Sequence, residues 1–304
     1  MVAIQKQSKA AIRNQDLAFG GVLVLLVIIA VVALHGNPED AALRRQAEGR
    51  PKPQTFSLVA PGEKPKDTDV LSQRITPCPY LSLTDLSPTE RYPTAGTRHM
   101  VDPPKGGQIT LVCCQSTTGN MNIAVHHRWA PKGAARFVEM AKEGYFSQVP
   151  LMRCLKDFIC QFGLAGRPDL TRKYRDMKPL DDDPNWLPEG PTHKQNGAGV
   201  KRFAKGYMAY AGSGPNSRGM QFIVGLANVG PLAGGSPWEV PWGELVGTHS
   251  FETLDKIYTG YGEGGPSQGL LMKEGNSETV RQTWPLLDYI TSCEVIDEEI
   301  QDEN

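Results

Sequence analysis

Hydrophobic and polar positions divide the chain into three parts, and the first part holds a long apolar run. Residues 17–34 read LAFGGVLVLLVIIAVVAL and carry no charged side chain. A run of this length is near the minimum that crosses a hydrocarbon core of roughly 30 Å as a helix. A soluble helix would show polar positions at a period of about 3.6 residues, and this run shows none. We therefore predict a transmembrane signal-anchor helix over residues 17–35.

The charges before this helix predict its orientation. Residues 1–16 carry three basic side chains against one acidic one, and an excess of positive charge favours the cytosolic side. This interpretation makes the protein a single-pass type II membrane protein of the endoplasmic reticulum or Golgi, with its main domain in the lumen. A cleaved signal peptide is the alternative, because Val31-Val32-Ala33 resembles a weak cleavage site. The apolar core of a signal peptide usually has about 7–15 residues, which favours a retained anchor.

The second part, residues 36–103, shows no hydrophobic periodicity, and we predict a stalk that is partly disordered. Its stretch RRQAEGRPKPQTFSLVAPGEKPKDTDV is rich in proline and charge and cannot bury enough apolar surface to fold alone. The less polar segment from Cys78 to Met100 leaves open whether it packs against the domain that follows. At the other end of the chain, residues 298–304 are predicted to form a solvated acidic tail.

The third part, residues 104–297, alternates short apolar stretches with turn residues, which is typical of a mainly β domain. The stretches QITLVCCQ and MNIAVHH flank a Thr-Thr-Gly-Asn turn and predict a hairpin. Further strands are predicted at residues 149–155, 158–161, 206–210, 221–224, 242–246 and 288–296. Many short strands with two separated helices indicate a small β-barrel plugged by helices.

Two helices and one long loop complete the predicted domain. The first helix begins at Pro131 and ends at Gly144, with apolar residues repeating at i, i+3, i+4 and i+7 between them. The second is short, and Ser250 is its predicted cap. The loop covers residues 164–200, and we interpret the three aspartates at residues 181–183 within it as a solvated turn rather than a cation site.

Composition and charge exclude several classes of protein. The net charge of −1, from 32 Lys and Arg against 33 Asp and Glu, argues against a broad contact with nucleic acid, which needs a basic surface. Six scattered cysteines without a C-x-x-C pair argue against a zinc ribbon or a disulfide scaffold. Free buried cysteines are predicted, and a bond from Cys113 or Cys114 to Cys293 is the alternative. The adjacent strand histidines His126 and His127 point to opposite faces, so we predict no metal and no cofactor.

Two polar residues interrupt otherwise apolar strands and are the candidate catalytic groups. Arg153 shares one face of its strand with Leu151 and Leu155. It is either a paired structural residue or a donor aimed into a pocket. Gln161 also has apolar neighbours along its strand, and a hydrogen-bonded core glutamine is the structural alternative for it.

Four blocks of the sequence resemble, in order, the cyclophilin-type peptidyl-prolyl cis-trans isomerases. The blocks are WAPKGAARFVEMAKEGYF, PLMRCLKDFICQFG, GYMAYAGSGPNSRGMQFIV and PWGELVG. The resemblance spans roughly residues 104–297. It implies an eight-stranded antiparallel barrel capped by a helix at each end, with the substrate groove on its outer face. We expect a monomer that takes proline-containing protein or peptide clients.

The resemblance also implies the roles of individual residues. Arg153 matches the family's catalytic arginine, and Gln161 matches the glutamine that supports it. Phe158 matches the aromatic floor of the proline pocket. The expected substrate-binding residues are Phe158, Ile159, Ala209, Gln221, Ile223 and Leu232.

The expected pocket departs from the family's pattern at several positions. Met152 replaces the histidine that typically precedes the arginine, and Ile159 replaces a methionine. Ile223 replaces the second pocket phenylalanine. The segment NVGPLAGGSPWEVP shows no clear counterpart to the family's tryptophan-leucine pair, although Leu232 is placed at the apolar position. Glu239 falls near the position of the family's pocket histidine.

The reaction that the resemblance implies needs no acid, base or nucleophile. Its barrier of about 18–20 kcal/mol comes from the resonance of the X–Pro amide. In the twisted state the prolyl nitrogen regains a lone pair, which one well-placed guanidinium stabilises selectively. We therefore predict a membrane-anchored isomerase in which Arg153 stabilises the twisted amide. The alternative is a catalytically weak or inactive cyclophilin-fold module that binds proline-containing peptides or a partner protein.

Overall fold

A computed structural model describes most of the third part of the chain and a short segment before it. The unit Met1–Pro65, which includes the predicted helix over 17–35, lies outside the described residues. The described residues all belong to the second compact unit, Lys66–Asn304. They are residues 78–80, 82–91, 102–164, 166–187, 194–195, 198–199, 203–229 and 236–301. Among them, no helix has the length and apolar character needed to cross a membrane.

The described strands confirm the mainly β class. They are β1 (Gly107–Ser116), β2 (Gly119–His126), β3 (Val149–Pro150), β4 (Arg153–Cys154), β5 (Ile159–Phe162), β6 (Lys194–Gln195), β7 (Ala198–Gly199), β8 (Tyr207–Tyr210), β9 (Phe222–Gly225), β10 (Gly243–Val246) and β11 (Tyr289–Gln301). Nine of them form one curled antiparallel sheet in the order β3-β11-β1-β2-β10-β8-β9-β5-β4, and β6 and β7 pair separately.

The large sheet has nine strands rather than the eight that were predicted, because one predicted strand changes its partner. Leu151 N donates to Asp288 O at 2.8 Å, whereas Met152 N donates to Gln161 O at 3.0 Å. The segment predicted as a single strand therefore pairs with β11 as β3 and with β5 as β4. These two strands lie at opposite ends of the sheet order and only two residues apart in the chain. The sheet must curl until its two edges meet.

The described helices are α1 (Pro88–Arg91), α2 (Pro131–Lys142), α3 (Pro168–Asp176), α4 (Thr248–Asp255), α5 (Gln268–Glu274) and α6 (Glu278–Thr283), with 3₁₀ turns η1 (Leu83–Asp85), η2 (Pro237–Glu239) and η3 (Gly262–Gly264). The prediction for α2 is confirmed, and α4 is the predicted second helix. Ser250 does not cap α4, because the helix begins two residues earlier. Ser250 lies within the helix, and its Oγ donates to the carbonyl oxygen of Val246 at the end of β10. The predicted loop over 164–200 contains α3, and α5 and α6 were not predicted.

The main core lies where α2 meets the sheet. Phe137 of α2 stacks on Trp242 with ring centroids 4.3 Å apart and contacts Phe222 edge to face at 5.4 Å. All three side chains are almost fully buried. Burial of large aromatic side chains contributes strongly to the stability of a core, and here it fixes α2 against β9 and the strand that follows Trp242.

The cysteines form three disulfides, so the prediction of free cysteines is wrong. Cys114 pairs with Cys293, a bond that the sequence analysis gave as the alternative to free cysteines. Cys78 pairs with Cys113, and Cys154 with Cys160. The described cysteines include all six, and none is free. Their linear spacing gave no signal because strand register brings them together: Cys114 lies opposite Cys293, and Cys154 opposite Cys160.

Both ends of the domain extend beyond the predicted limits. Leu83 and Leu86, from the predicted stalk, are buried in a cluster with Ile109 and Leu111 of β1. Part of the predicted stalk therefore packs on the sheet, next to the bond from Cys78. At the other end, β11 continues to Gln301, so the first residues of the predicted acidic tail pair with β1.

Candidate functional site

Strand pairing brings the candidate residues into one row across the sheet. Arg153 of β4 lies directly opposite Gln161 of β5, and Gln161 lies opposite Ile223 of β9. Ile223 is in turn the partner of Ala209 in β8. Neighbouring strands lie about 4.8 Å apart, so residues that are distant in the sequence become neighbours.

Alternation along each strand decides which side chains of this row face outward. In β5, Cys160 and Phe162 belong to the main core, whereas Ile159 and Gln161 line a groove on the other face. Successive side chains of a strand point to opposite faces of the sheet. The polar Gln161 is thus placed in the groove by the same pattern that buries its apolar neighbours in the core.

The groove has a volume of about 570 Å³, and its floor is apolar. Phe158, Ile159 and Ile223 form this floor, and the two isoleucines are nearly fully buried. A tight turn presents Phe158, because Asp157 adopts a left-handed conformation (φ 58°) and Leu155 N donates to Ile159 O at 2.8 Å. Aspartate is one of the few residues that tolerate this conformation.

Arg153 lies at the edge of the apolar floor and is held by a carboxylate. Its Nε donates to Glu263 Oε2 at 2.7 Å, and a terminal nitrogen donates to Oε1 at 2.5 Å. These hydrogen bonds raise the pKa of Arg153 and lower the pKa of Glu263. The two side chains are 34% and 68% exposed, so the pair lies in contact with solvent. Glu263 was not predicted, because it belongs to the segment around η3, which shows no periodic pattern.

Three glutamines form a hydrogen-bonded chain beside the arginine. Gln161 Nε2 donates to Gln221 Oε1 at 2.9 Å, and Gln221 Nε2 donates to Gln268 Oε1 at 3.1 Å. In this structure the side chain of Gln161 therefore contacts Gln221, and Gln161 lies opposite Arg153 in the pairing of β4 with β5. These two hydrogen bonds assign the orientation of the side-chain amides of Gln161 and Gln221.

Ala209 is the predicted substrate-binding residue that the structure places away from the groove lining, and its binding of substrate stays a prediction. Ala209 is fully buried in a cluster with Ile159, Ile223 and Tyr207, and it does not line the groove. The side chain of Ala209 lies on the same face of the sheet as the groove, but these neighbours cover it. Ala211, two positions further along the chain, lines the groove instead.

The remaining departures from the family's pattern have different outcomes. Met152 is buried in the main core, so this position contributes no side chain to the groove. Glu239 lines the groove, and Leu232 lies outside the described residues. Trp238, which the sequence analysis missed, packs against the groove wall: a Cβ atom on Gly212 would lie 2.4 Å from Trp238 Cδ1. A larger residue at the lining position Gly212 would therefore displace Trp238.

The adjacent histidines at the end of β2 make separate contacts. His126 Nε2 lies 3.2 Å from Glu244 Oε1, and its ring stacks on Trp129 with centroids 4.0 Å apart. His127 Nε2 lies 3.0 Å from Thr110 Oγ1. In the part of the chain that the structure describes, no group of three or more His, Cys, Asp or Glu side chains is placed to hold a metal ion.

Residues 111–294 match a family model described as cyclophilin type peptidyl-prolyl cis-trans isomerase. Among curated proteins, human peptidyl-prolyl cis-trans isomerase-like 1 is 30% identical over 128 residues, which cover 41% of this chain and 68% of that protein. Peptidyl-prolyl cis-trans isomerase-like 3 of Neurospora crassa is 26% identical over 147 residues, covering 48% and 81%.

A solved structure is also similar to the chain. It is the crystal structure of a Cryptosporidium parvum cyclophilin type peptidyl-prolyl cis-trans isomerase in the presence of the dipeptide Ala-Pro. The match covers 64% of this chain and 99% of that one, with 19% sequence identity and a TM-score of 0.38.

Proposed function

Because the chain belongs to the cyclophilin-type peptidyl-prolyl cis-trans isomerase family, we propose that it is a membrane-anchored isomerase of X–Pro bonds in protein clients. The resemblance of the four sequence blocks to this family is thereby confirmed. Arg153 stabilises the twisted amide in this proposal. One observation carries it: the guanidinium lies at the edge of an apolar floor made by Phe158, Ile159 and Ile223.

The geometry suits the chemistry of isomerisation. The apolar floor holds the proline ring, while the guanidinium donates to the prolyl nitrogen as that atom becomes pyramidal. A single preorganised donor contributes roughly 3–4 kcal/mol, or about 10²–10³ in rate. Arginine suits this role because it stays charged and its donors form a rigid fork.

The ion pair with Glu263 does not prevent this role of Arg153. Glu263 is largely exposed and Arg153 is about one third exposed, and an ion pair in contact with solvent typically changes an equilibrium by only about 1.5- to 5-fold. The expected gain from the donor is about 10²–10³ in rate, which is much larger. Glu263 therefore lowers the rate by a modest factor without abolishing it.

Two observations support a lumenal domain on a membrane anchor. The apolar run over 17–34 is near the minimum length of a spanning helix. Three disulfides within one domain favour an oxidising compartment, because cytosolic reductants keep thiols reduced. Protease protection of the C-terminal domain in sealed microsomes tests this topology, and digestion without detergent would contradict it.

The enzymatic proposal is tested by a cis-to-trans assay on a proline tetrapeptide with the full-length chain in detergent micelles. We expect Arg153→Ala to lower kcat/KM by about 10²–10³, and Arg153→Lys to recover only part of this loss. Arg167→Ala is the matched control, because Arg167 is also an exposed arginine, paired with Asp169, but lies outside the groove lining. Equal rates for Arg153→Ala and the wild type would exclude the proposed role.

A catalytically weak module that binds proline-containing peptides is the second candidate. It is favoured by Ile223, which offers a smaller pocket surface than an aromatic side chain, and by the engagement of two guanidinium nitrogens with Glu263. A labelled proline peptide that binds the wild-type protein without any acceleration of isomerisation would establish this candidate.

A further inference from the structure

Glu263 is positioned at the groove by a segment whose backbone is fixed on β4. Trp284 Nε1 donates a hydrogen bond to Gly264 O at 2.8 Å. Gly265 packs so closely on the strand that a Cβ atom there would lie 2.2 Å from Met152 O. The backbone that follows Glu263 therefore packs directly against the residue that precedes Arg153.

The side chain of Glu263, in contrast, has room to move. It is 68% exposed, and it lies between Gly262 and Gly264, which carry no side chains that restrict it. A Cβ atom on Gly264 would meet no other atom within 4 Å. The carboxylate can therefore rotate away from Arg153 while the backbone stays in place.

Binding of a client changes what this carboxylate contacts. In the proposed mechanism the guanidinium of Arg153 turns its donors towards the prolyl nitrogen, and Glu263 loses them. A carboxylate beside the bound peptide then attracts a cation and repels an anion. A lysine or arginine of the client restores an ion pair, whereas an acidic client residue adds repulsion.

The other charges of the groove do not cancel this effect. Arg175, the other arginine among the lining residues, is already paired with Asp176, with the two charged groups 2.9 Å apart. Glu239 places a carboxylate in the lining itself, and Glu263 adds one beside it through its contact with the lining residue Arg153. Once Arg153 is engaged with a client, the charge beside it is therefore negative.

From this arrangement we infer that Glu263 is a specificity-determining residue, which selects clients with a lysine or arginine within one or two residues of the isomerised proline. This inference rests on the proposed isomerase function. Glu263 does not act on the reacting amide. It acts on the flanking residues of the client and competes with the amide for Arg153.

The expected effect is small but measurable. Exposed ion pairs change an equilibrium by about 1.5- to 5-fold, so kcat/KM for a basic peptide should exceed that for a neutral one by this factor. An acidic peptide should be disfavoured by a similar factor. Added salt should reduce both differences, because screening shortens the range of the interaction to about 3 Å at 1 M.

The test compares three proline tetrapeptides that differ in one residue next to the proline, which is lysine, alanine or glutamate. Each is made with the variable residue on either side of the proline, and the enzyme is the full-length chain. We expect Glu263→Gln to abolish the charge preference and to raise the rate on the alanine peptide by up to about fivefold. Glu263→Lys should invert the preference. Glu252→Gln, an exposed carboxylate on α4 outside the groove lining, should behave as wild type.

The outcomes separate this inference from the proposed function. If the wild type accelerates all peptides equally, or if Glu263→Gln slows all of them by one common factor, Glu263 has no role in selection and the inference fails alone. If the wild type accelerates no peptide at all, the proposed isomerase function fails, and the inference fails with it. A preference that survives Glu263→Gln would also overturn the inference.

Discussion

Two arginine–carboxylate pairs lie near the groove, and they differ in burial rather than in chemistry. Arg218 and Asp183 approach to 2.8 Å with both side chains fully buried. Arg153 and Glu263 approach to 2.5 Å, but these side chains are 34% and 68% exposed. A buried charge cannot lose its partner without a large desolvation penalty, whereas an exposed charge exchanges its partner for water or for a ligand. Burial thus distinguishes a structural pair from one available to a client.

The buried pair joins α2 to the loops beside the groove. Ala130 provides no side-chain cap for α2, and Asp183 instead accepts hydrogen bonds from Lys132 N at 3.0 Å and Gly133 N at 2.9 Å. A carboxylate is favourable at a helix N-terminus, where the amides are unsatisfied. Arg218 belongs to the loop that contributes several lining residues of the groove. The prediction of a solvated turn over 181–183 is therefore wrong for its last residue.

The largest expected effect in this comparison is that of breaking the buried pair from one side. Asp183→Ala leaves Arg218 as an uncompensated buried charge and should lower the free energy of unfolding by about 3–5 kcal/mol, measured by urea denaturation. Asp181→Ala is the control, because Asp181 is exposed and pairs only with surface lysines at 3.4 and 3.9 Å. It should change the free energy of unfolding by less than about 0.5 kcal/mol. Similar losses for the two variants would mean that burial does not separate these pairs.

Replacing both Asp183 and Arg218 should lower the free energy of unfolding by less than replacing Asp183 alone. In the double variant Asp183→Leu with Arg218→Met, no charge is left buried, and the main loss is the hydrogen bonding at the start of α2. We expect the free energy of unfolding to fall by about 1–2 kcal/mol. A double variant that is as unstable as Asp183→Ala would show that the loss comes from packing rather than from the uncompensated charge.

The residues that could be predicted from the sequence are those that strand alternation places. Arg153 and Gln161 stand out because each interrupts an apolar strand, and the family resemblance adds Phe158 and Ile223. The pairing of β4, β5 and β9 then brings them together, as the resemblance implies. Ala209 does not line the groove, because alternation predicts the face of a strand but not which side chains cover that face.

The residues that could not be predicted belong to segments without a periodic pattern of hydrophobic residues. Glu263, Trp238 and Asp183 lie in turns or loops, and each acts on a residue that is distant in the sequence. The disulfide between Cys78 and Cys113, with a separation of 35 residues, depends in the same way on packing of the segment before the domain against the sheet. Such contacts follow from the three-dimensional path of the chain, which local patterns do not determine.

The smallest expected effect is the titration of Glu263. The hydrogen bonds from Arg153 lower the pKa of this carboxyl group. Because its folded-state pKa lies below its unfolded value, the pair is fully formed at and above the usual glutamate range and is lost as the pH falls through the lowered pKa. An NMR titration of the carboxyl group should therefore show a midpoint below the usual range for glutamate. In Arg153→Ala the midpoint should return towards that range.

The same titration compares the exposed pair directly with the buried one. Acidification through the lowered pKa of Glu263 should release Arg153 while the domain remains folded, since the pair is exposed and few other contacts depend on it. Near-ultraviolet circular dichroism, which reports the packed aromatic core around Phe137 and Trp242, should stay constant through this step. A loss of core signal with the same midpoint as Glu263 would mean that the exposed pair also supports the fold, and the distinction between the two pairs would not hold.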